Sequence, residues 1–118
     1  MAQRFADTGL LCLVPDLYHG RVASTPDEAR HLMSDLDWPA AVEEIRAAAQ
    51  YLRSQSCGKV FVTGFCMGGA LSAASAVLCS DVFDGAAPFY GVPPAMLCNL
   101  EHTKIPVQAH FAKLDNQM

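Results

Sequence analysis

The stretch Lys59-Val60-Phe61-Val62-Thr63-Gly64-Phe65-Cys66-Met67-Gly68-Gly69 decides how this chain is read. Val60 to Thr63 are β-branched or aromatic and predict a strand over 59–63. From Gly68 to Ser80 the residues turn small and predominantly apolar, which predicts a closely packed helix. Between them stands Gly-x-Cys-x-Gly, Gly64 to Gly68, at a switch from strand to helix. A nucleophile on such a tight, strained turn has its side chain exposed at the top of a sheet, and Gly64 and Gly68 are expected to relieve the crowding.

The same turn places Cys66 at a helix N-terminus, where unpaired N–H groups and the positive end of the helix dipole favour a thiolate. The amide of Met67, the residue after the nucleophile, is then a donor to the oxyanion of an acyl transfer. The other reading of Cys66 is a small buried hydrophobe, the common fate of a free cysteine. Cys12, Cys57, Cys79 and Cys98 have no motif around them and are read that way. Cysteine elbows also occur in amidotransferase-like and DJ-1-like proteins, so the surrounding chain has to decide.

Working outward, strands alternate with helices. Arg4 to Thr8 reads as a last helical turn closed by Gly9. Leu10 to Val14 is a continuous apolar run, as expected of a strand covered on both faces of a parallel sheet. Pro26 to Met33 predicts a short helix capped by Thr25, with Asp27 and Glu28 in its first turn. Asp37 caps a longer one, in which Ala41, Val42, Ile45, Ala48, Ala49 and Leu52 share a face opposite Glu43, Glu44 and Arg46, and Cys57-Gly58 ends it. Gly85 to Tyr90 and Ile105 to Phe111 predict two further strands, separated by an irregular loop over 91–103. The fold class is therefore α/β, an open and mostly parallel sheet with helices on both faces. Ligands of such sheets bind beyond the C-terminal strand ends, where Tyr18, Arg21, Cys66, Tyr90 and Asp115 fall.

Composition narrows the function. With 52% hydrophobic and 17% charged residues the 118-residue chain is expected to bury a sizeable core within one domain at most. A net charge of −4 with no basic stripe gives no support for nucleic acid or an anionic membrane as partner. The longest apolar run, 10–15, is far shorter than the roughly 20 residues of a membrane-spanning helix, and residues 1–7 lack the layout of a secretory signal. Five cysteines, odd in number and without a C-x-x-C pair, argue against a disulfide framework and a zinc site. The expectation is a soluble cytoplasmic protein without metal or cofactor, its oligomeric state left open.

Val14-Pro15-Asp16-Leu17-Tyr18, the stretch 58–69, Phe89-Tyr90-Gly91-Val92, and His110-Phe111 with Asp115 resemble, in order and approximate spacing, the dienelactone hydrolase (carboxymethylenebutenolidase) family of α/β-hydrolases. The resemblance covers nearly the whole chain. It implies a Cys–Asp–His triad that opens ester or lactone bonds of a small molecule without a cofactor. Cys66 matches the nucleophile and Asp115 the acid that orients the histidine, although Asp115 beside Asn116 also suits an ordinary turn. Arg21 lies near the position of an arginine that holds a substrate carboxylate, with spacing after Tyr18 that is not identical; a solvated surface arginine is the other reading. Tyr90 faces the pocket or packs as an amphipathic core tyrosine.

The family's histidine follows the acid by a further strand, helix and loop, and His19, His31, His102 and His110 do not stand there. Nor does the chain contain the family's second oxyanion loop or the glutamate that contacts the resting cysteine. The resemblance thus implies that 1–118 is the central part of a single domain, an incomplete α/β-hydrolase fold truncated at both ends. Loss of a triad member lowers the rate on the order of 10⁴ or more, so the chain alone is expected to be nearly inactive. A DJ-1-like or amidotransferase-like cysteine protein and a non-catalytic hydrolase fragment are the alternatives.

Overall fold

Helix formation follows the caps and the apolar spacing. A computed structural model describes residues 1–55 and 58–115. A single-turn helix α1 (Ala2–Ala6) precedes Gly9, whose φ of 91° is one that glycine adopts readily. Helix α2 (Pro26–Ser34) starts with the Thr25 hydroxyl accepting from the Glu28 amide at 3.2 Å. Helix α3 (Trp38–Ser54) starts with the Asp37 carboxylate accepting from the Ala40 amide at 3.0 Å. It buries Ala41, Val42, Ile45 and Ala49, four of the six residues of the expected face; Ala48 and Leu52 are half-buried. The expected stop at Cys57 lies outside the described residues.

Strand β1 (Phe61–Phe65) runs into helix α4 (Met67–Leu78), and strand β2 (Gly85–Phe89) pairs with β1 in parallel, Phe61 opposite Gly85 and Phe65 opposite Phe89. Helix α4 packs on both strands and against α3. Gly69 to Ala76 are all buried, and the core joins α3 to α4 through Val42, Ile45, Leu71, Ala74, Val82 and Phe83. On β1, Val62 packs toward this core while Phe61 and Thr63 are exposed, so the helices seen against this strand lie toward one face of the sheet.

Two expected strands differ. Residues 105–111 make only the isolated parallel bridges Ala86–Val107 and Phe89–His110. The ladder begins normally, Ala86 N–H donating to the Pro106 carbonyl and Gln108 N–H to the Ala86 carbonyl. It resumes with His110 N–H on the Pro88 carbonyl and Tyr90 N–H on the His110 carbonyl. The missing rung belongs to Pro88, which has no N–H to donate, so the strand is broken at the one residue that cannot pair. A short 3-10 helix (Leu100–His102) leads into it.

Residues 10–14 form no strand. Leu10, Leu11 and Val14 are exposed, and a cavity of about 1040 Å³ is lined by Leu10, Leu11 and Leu13 together with Val62, Phe65 and Phe89. An apolar run becomes a strand only when a neighbour accepts its backbone hydrogen bonds, and none of the described residues does so for this run.

At the opposite end of the sheet, Asp84 gathers three elements. Its carboxylate accepts from the Val60 amide at 2.8 Å and from Arg53 of α3 at 2.7 Å, and Arg53 also donates to the Val82 carbonyl. The Val60 N–H first, and then Arg53, hold the Asp84 carboxyl below the usual carboxylate range against its partial desolvation.

Candidate active site

Cys66 caps α4 with φ 55° and ψ −121°, a conformation that side-chain-bearing residues seldom adopt, and it is exposed. Such strain costs about 1–3 kcal/mol and persists only where the surroundings over-determine it. Here the surroundings are backbone. The Cys66 amide donates to the Phe89 carbonyl at 3.1 Å, tying the end of β1 to the end of β2, and the Ala70 amide closes the first turn onto the Cys66 carbonyl at 3.0 Å.

Three glycines make this approach possible. A Cβ on Gly64 would lie 2.2 Å from the Gly68 carbonyl oxygen, one on Gly69 2.2 Å from that of Phe89, and one on Gly91 2.0 Å from that of Cys66. All three are backbone atoms with nowhere to go. At Gly64 the close approach is to the backbone of Gly68. Gly68 differs: a Cβ there meets open space, and its part in the turn is to bring its backbone against Gly64. Gly91, outside the motif, is a turn residue that the sequence reading does not single out, and its signal is its place directly after the expected strand 85–90.

Met67, first residue of α4, has an amide in the helical position that lacks an intrahelical acceptor, and α4 has no side-chain cap. Its thioether accepts from the Tyr18 hydroxyl at 3.4 Å. Tyr90 follows β2 with φ 37°, is partly exposed, and its ring lies 6.3 Å from that of Phe65. His110 stacks on Phe89 at 4.3 Å with the rings 5° apart, and Phe89 stacks on Phe65 at 4.7 Å. The residues 64–69, Tyr18 and 89–91 thus converge at one end of the sheet.

Arg21 belongs to the loop that carries Tyr18. It is exposed, and its Nε donates back to the Tyr18 carbonyl at 3.3 Å. Asp115 is half-buried, five residues beyond His110. Among the described residues no group of histidine, cysteine and carboxylate side chains has the makings of a metal site. Among the described residues four cysteines are free, and burial pushes the Cys79 thiol up to about 11 and that of Cys98 upward as well. No helix of the described residues is long and apolar enough to cross a membrane.

Strand β1, a sharp turn at the strained and exposed Cys66, and the small-residue helix α4 follow one another in an incomplete α/β fold. The chain belongs to the dienelactone hydrolase family, whose profile it matches over residues 1–118. It is 37% identical to Protein usf of Aquifex pyrophilus over 121 residues, covering 98% of this chain and 52% of that protein. It is 31% identical to a putative carboxymethylenebutenolidase of Aquifex aeolicus, with 98% and 52% covered, and 32% identical to the carboxymethylenebutenolidase of Pseudomonas putida, with 93% and 51% covered. The chain spans about half the length of these relatives.

Proposed function

We propose that the chain carries the nucleophile of a hydrolase that opens ester or lactone bonds of a small molecule. The observation that carries this reading is the exposed, strained Cys66 at the start of α4. In the proposed reaction the Cys66 sulfur forms a bond to the carbonyl carbon and the π electrons move to oxygen, which accepts from the Met67 amide. Collapse of that intermediate breaks the acyl C–O bond, and the alkoxide leaves with the proton given up by the Cys66 thiol. Water then cleaves the thioester, its oxygen going to the acyl carbon to give the carboxylic acid and a proton returning to the thiol.

Asp115 is assigned the orientation of a histidine base, and Arg21 and Tyr90 contacts with the substrate. Support for Tyr90 is its place directly beyond β2, and support for Asp115 and Arg21 is the family membership. The four histidines of this chain do not stand at the family's position, so the 118 residues by themselves should acylate and then turn over poorly. Free cysteines suit a reducing cytoplasm as the working compartment.

The test is single-turnover acylation. Incubation with p-nitrophenyl acetate should release p-nitrophenolate and leave an acetyl group on Cys66 by peptide mass spectrometry, and Cys66→Ala should abolish both. Equal acetylation of several cysteines, or an unchanged release from Cys66→Ala, would refute the reading.

A further inference from the structure

The loop over 16–21 is built to present one side chain. Asp16 accepts from the Tyr18 amide at 3.2 Å and the Gly20 amide at 2.7 Å through its carboxylate, and from the His19 amide through its carbonyl. His19, at φ 52°, sets its Nε2 2.9 Å from a Glu44 carboxylate oxygen of α3. The Tyr18 carbonyl accepts both the amide and the Nε of Arg21. With its backbone held on both sides, Tyr18 reaches across 49 residues of sequence and donates its hydroxyl to Met67 Sδ.

Met67 is the first residue of α4 and shares its peptide plane with Cys66. Leu17 and Met67 both pack against the hydrophobic core, so the tyrosine contact closes a half-buried bridge between loop and helix. A methionine has three rotatable bonds and adapts to its surroundings, so a bond at its far end narrows the arrangements open to it and adds to the backbone contacts that set the turn. The Tyr18 hydroxyl makes that bond.

We propose that Tyr18 is a positioning residue for acyl transfer, holding the Met67 peptide so that its amide faces the oxyanion formed at Cys66. The proposal rests on the hydrolase reading of Cys66. Loss of one neutral hydrogen bond changes a rate by about 3- to 10-fold where its whole worth is felt in the alignment of the oxyanion donor.

The experiment compares two reagents on the same thiol of the 118-residue chain. Acetylation of Cys66 by p-nitrophenyl acetate builds an oxyanion, whereas its alkylation by iodoacetamide does not. Tyr18→Phe should slow the ester reaction about 3- to 10-fold and leave the iodoacetamide rate unchanged. In a Met67→Leu background, where the sulfur acceptor is gone, Tyr18→Phe should have no further effect on the ester rate.

Equal rates for Tyr18→Phe and the parent with both reagents would overturn the proposal, as would slowing by the same factor with both. So would uniform labelling of every cysteine in Tyr18→Phe, since Tyr18 would then be a fold determinant. If the parent chain is alkylated at Cys66 but never acetylated, the hydrolase reading fails and the positioning role falls with it.

Discussion

The Cys66 amide donates to the Phe89 carbonyl at 3.1 Å, one residue past the end of the Phe65–Phe89 register. The strand pair therefore does not stop at Phe65 but hands Cys66 its last hydrogen bond. This bond, with Gly91 against the Cys66 carbonyl, explains how a cysteine stays at φ 55° when an unconstrained one would relax.

Gly91→Ala should collapse the turn. The added methyl carbon would sit 2.0 Å from the Cys66 oxygen and 2.4 Å from the Ala70 nitrogen, and neither can move without unwinding α4. We expect destabilisation of about 3 kcal/mol or more and loss of selective Cys66 labelling, read by thermal melts and peptide mapping. Gly68→Ala is the contrast: its methyl meets open space in a helix, where Ala exceeds Gly by about 1 kcal/mol, so stability should hold or rise.

The two buried serines of α4 should respond with opposite signs. Ser72 donates to the Gly68 carbonyl at 2.7 Å, whereas Ser75 Oγ is buried without a partner among the described residues. Ser72→Ala should cost about 1 kcal/mol, and Ser75→Ala should be neutral or stabilising by a similar amount, because it removes a desolvated hydroxyl. Denaturant midpoints of the two variants decide it.

Much of this fold is legible in the sequence because its causes are local. Thr25 and Asp37 cap their helices as their positions predict, and the apolar face of α3 follows the 3.6-residue spacing. Strands are different, since an apolar run needs a neighbour. Residues 10–14 have the composition of a strand without a ladder, and Pro88 breaks the pairing of a segment seventeen or more residues away. The site divides the same way. The Gly64–Gly69 turn announces Cys66, but the Tyr18–Met67 contact spans 49 residues and the Arg46–Asp81 pair 35, so neither leaves a spacing pattern. Arg46, assigned to the solvent face of α3, folds onto Asp81 with both carboxylate oxygens at 2.6 Å, a pairing that holds the Asp81 carboxyl low.

Acid should loosen the sheet through Asp84. Its carboxyl is lowered in the folded state, chiefly by the Val60 N–H, so its contribution is present above the unfolded carboxylate pKa of about 4 and is lost as pH falls through the lower folded value. Asp84→Asn should melt lower at neutral pH and show a flatter decline between about pH 5 and pH 2 than the parent. Parallel acid profiles for parent and variant would remove Asp84 from the account.

Alkali should act through Cys79, with the opposite sense. The thiol is buried against α3, its Sγ 3.8 Å from the Val42 carbonyl, and burial raises it to about 11 even though the nearby Arg46 charge pulls the other way. A raised folded pKa favours the protonated form, so its contribution is complete below the unfolded thiol pKa of about 8.5 and disappears as pH climbs toward 11. Stability should therefore decline across that window in the parent and decline less in Cys79→Ala. That variant starts lower by about 1–2 kcal/mol because a small buried side chain is shortened. The same burial orders the thiols kinetically: at neutral pH a thiol reagent should label Cys66 well before Cys79, and Cys79 only at the rate at which the α3–α4 core opens. Labelling of Cys79 as fast as Cys66 would mean that the α3–α4 core does not exclude the reagent.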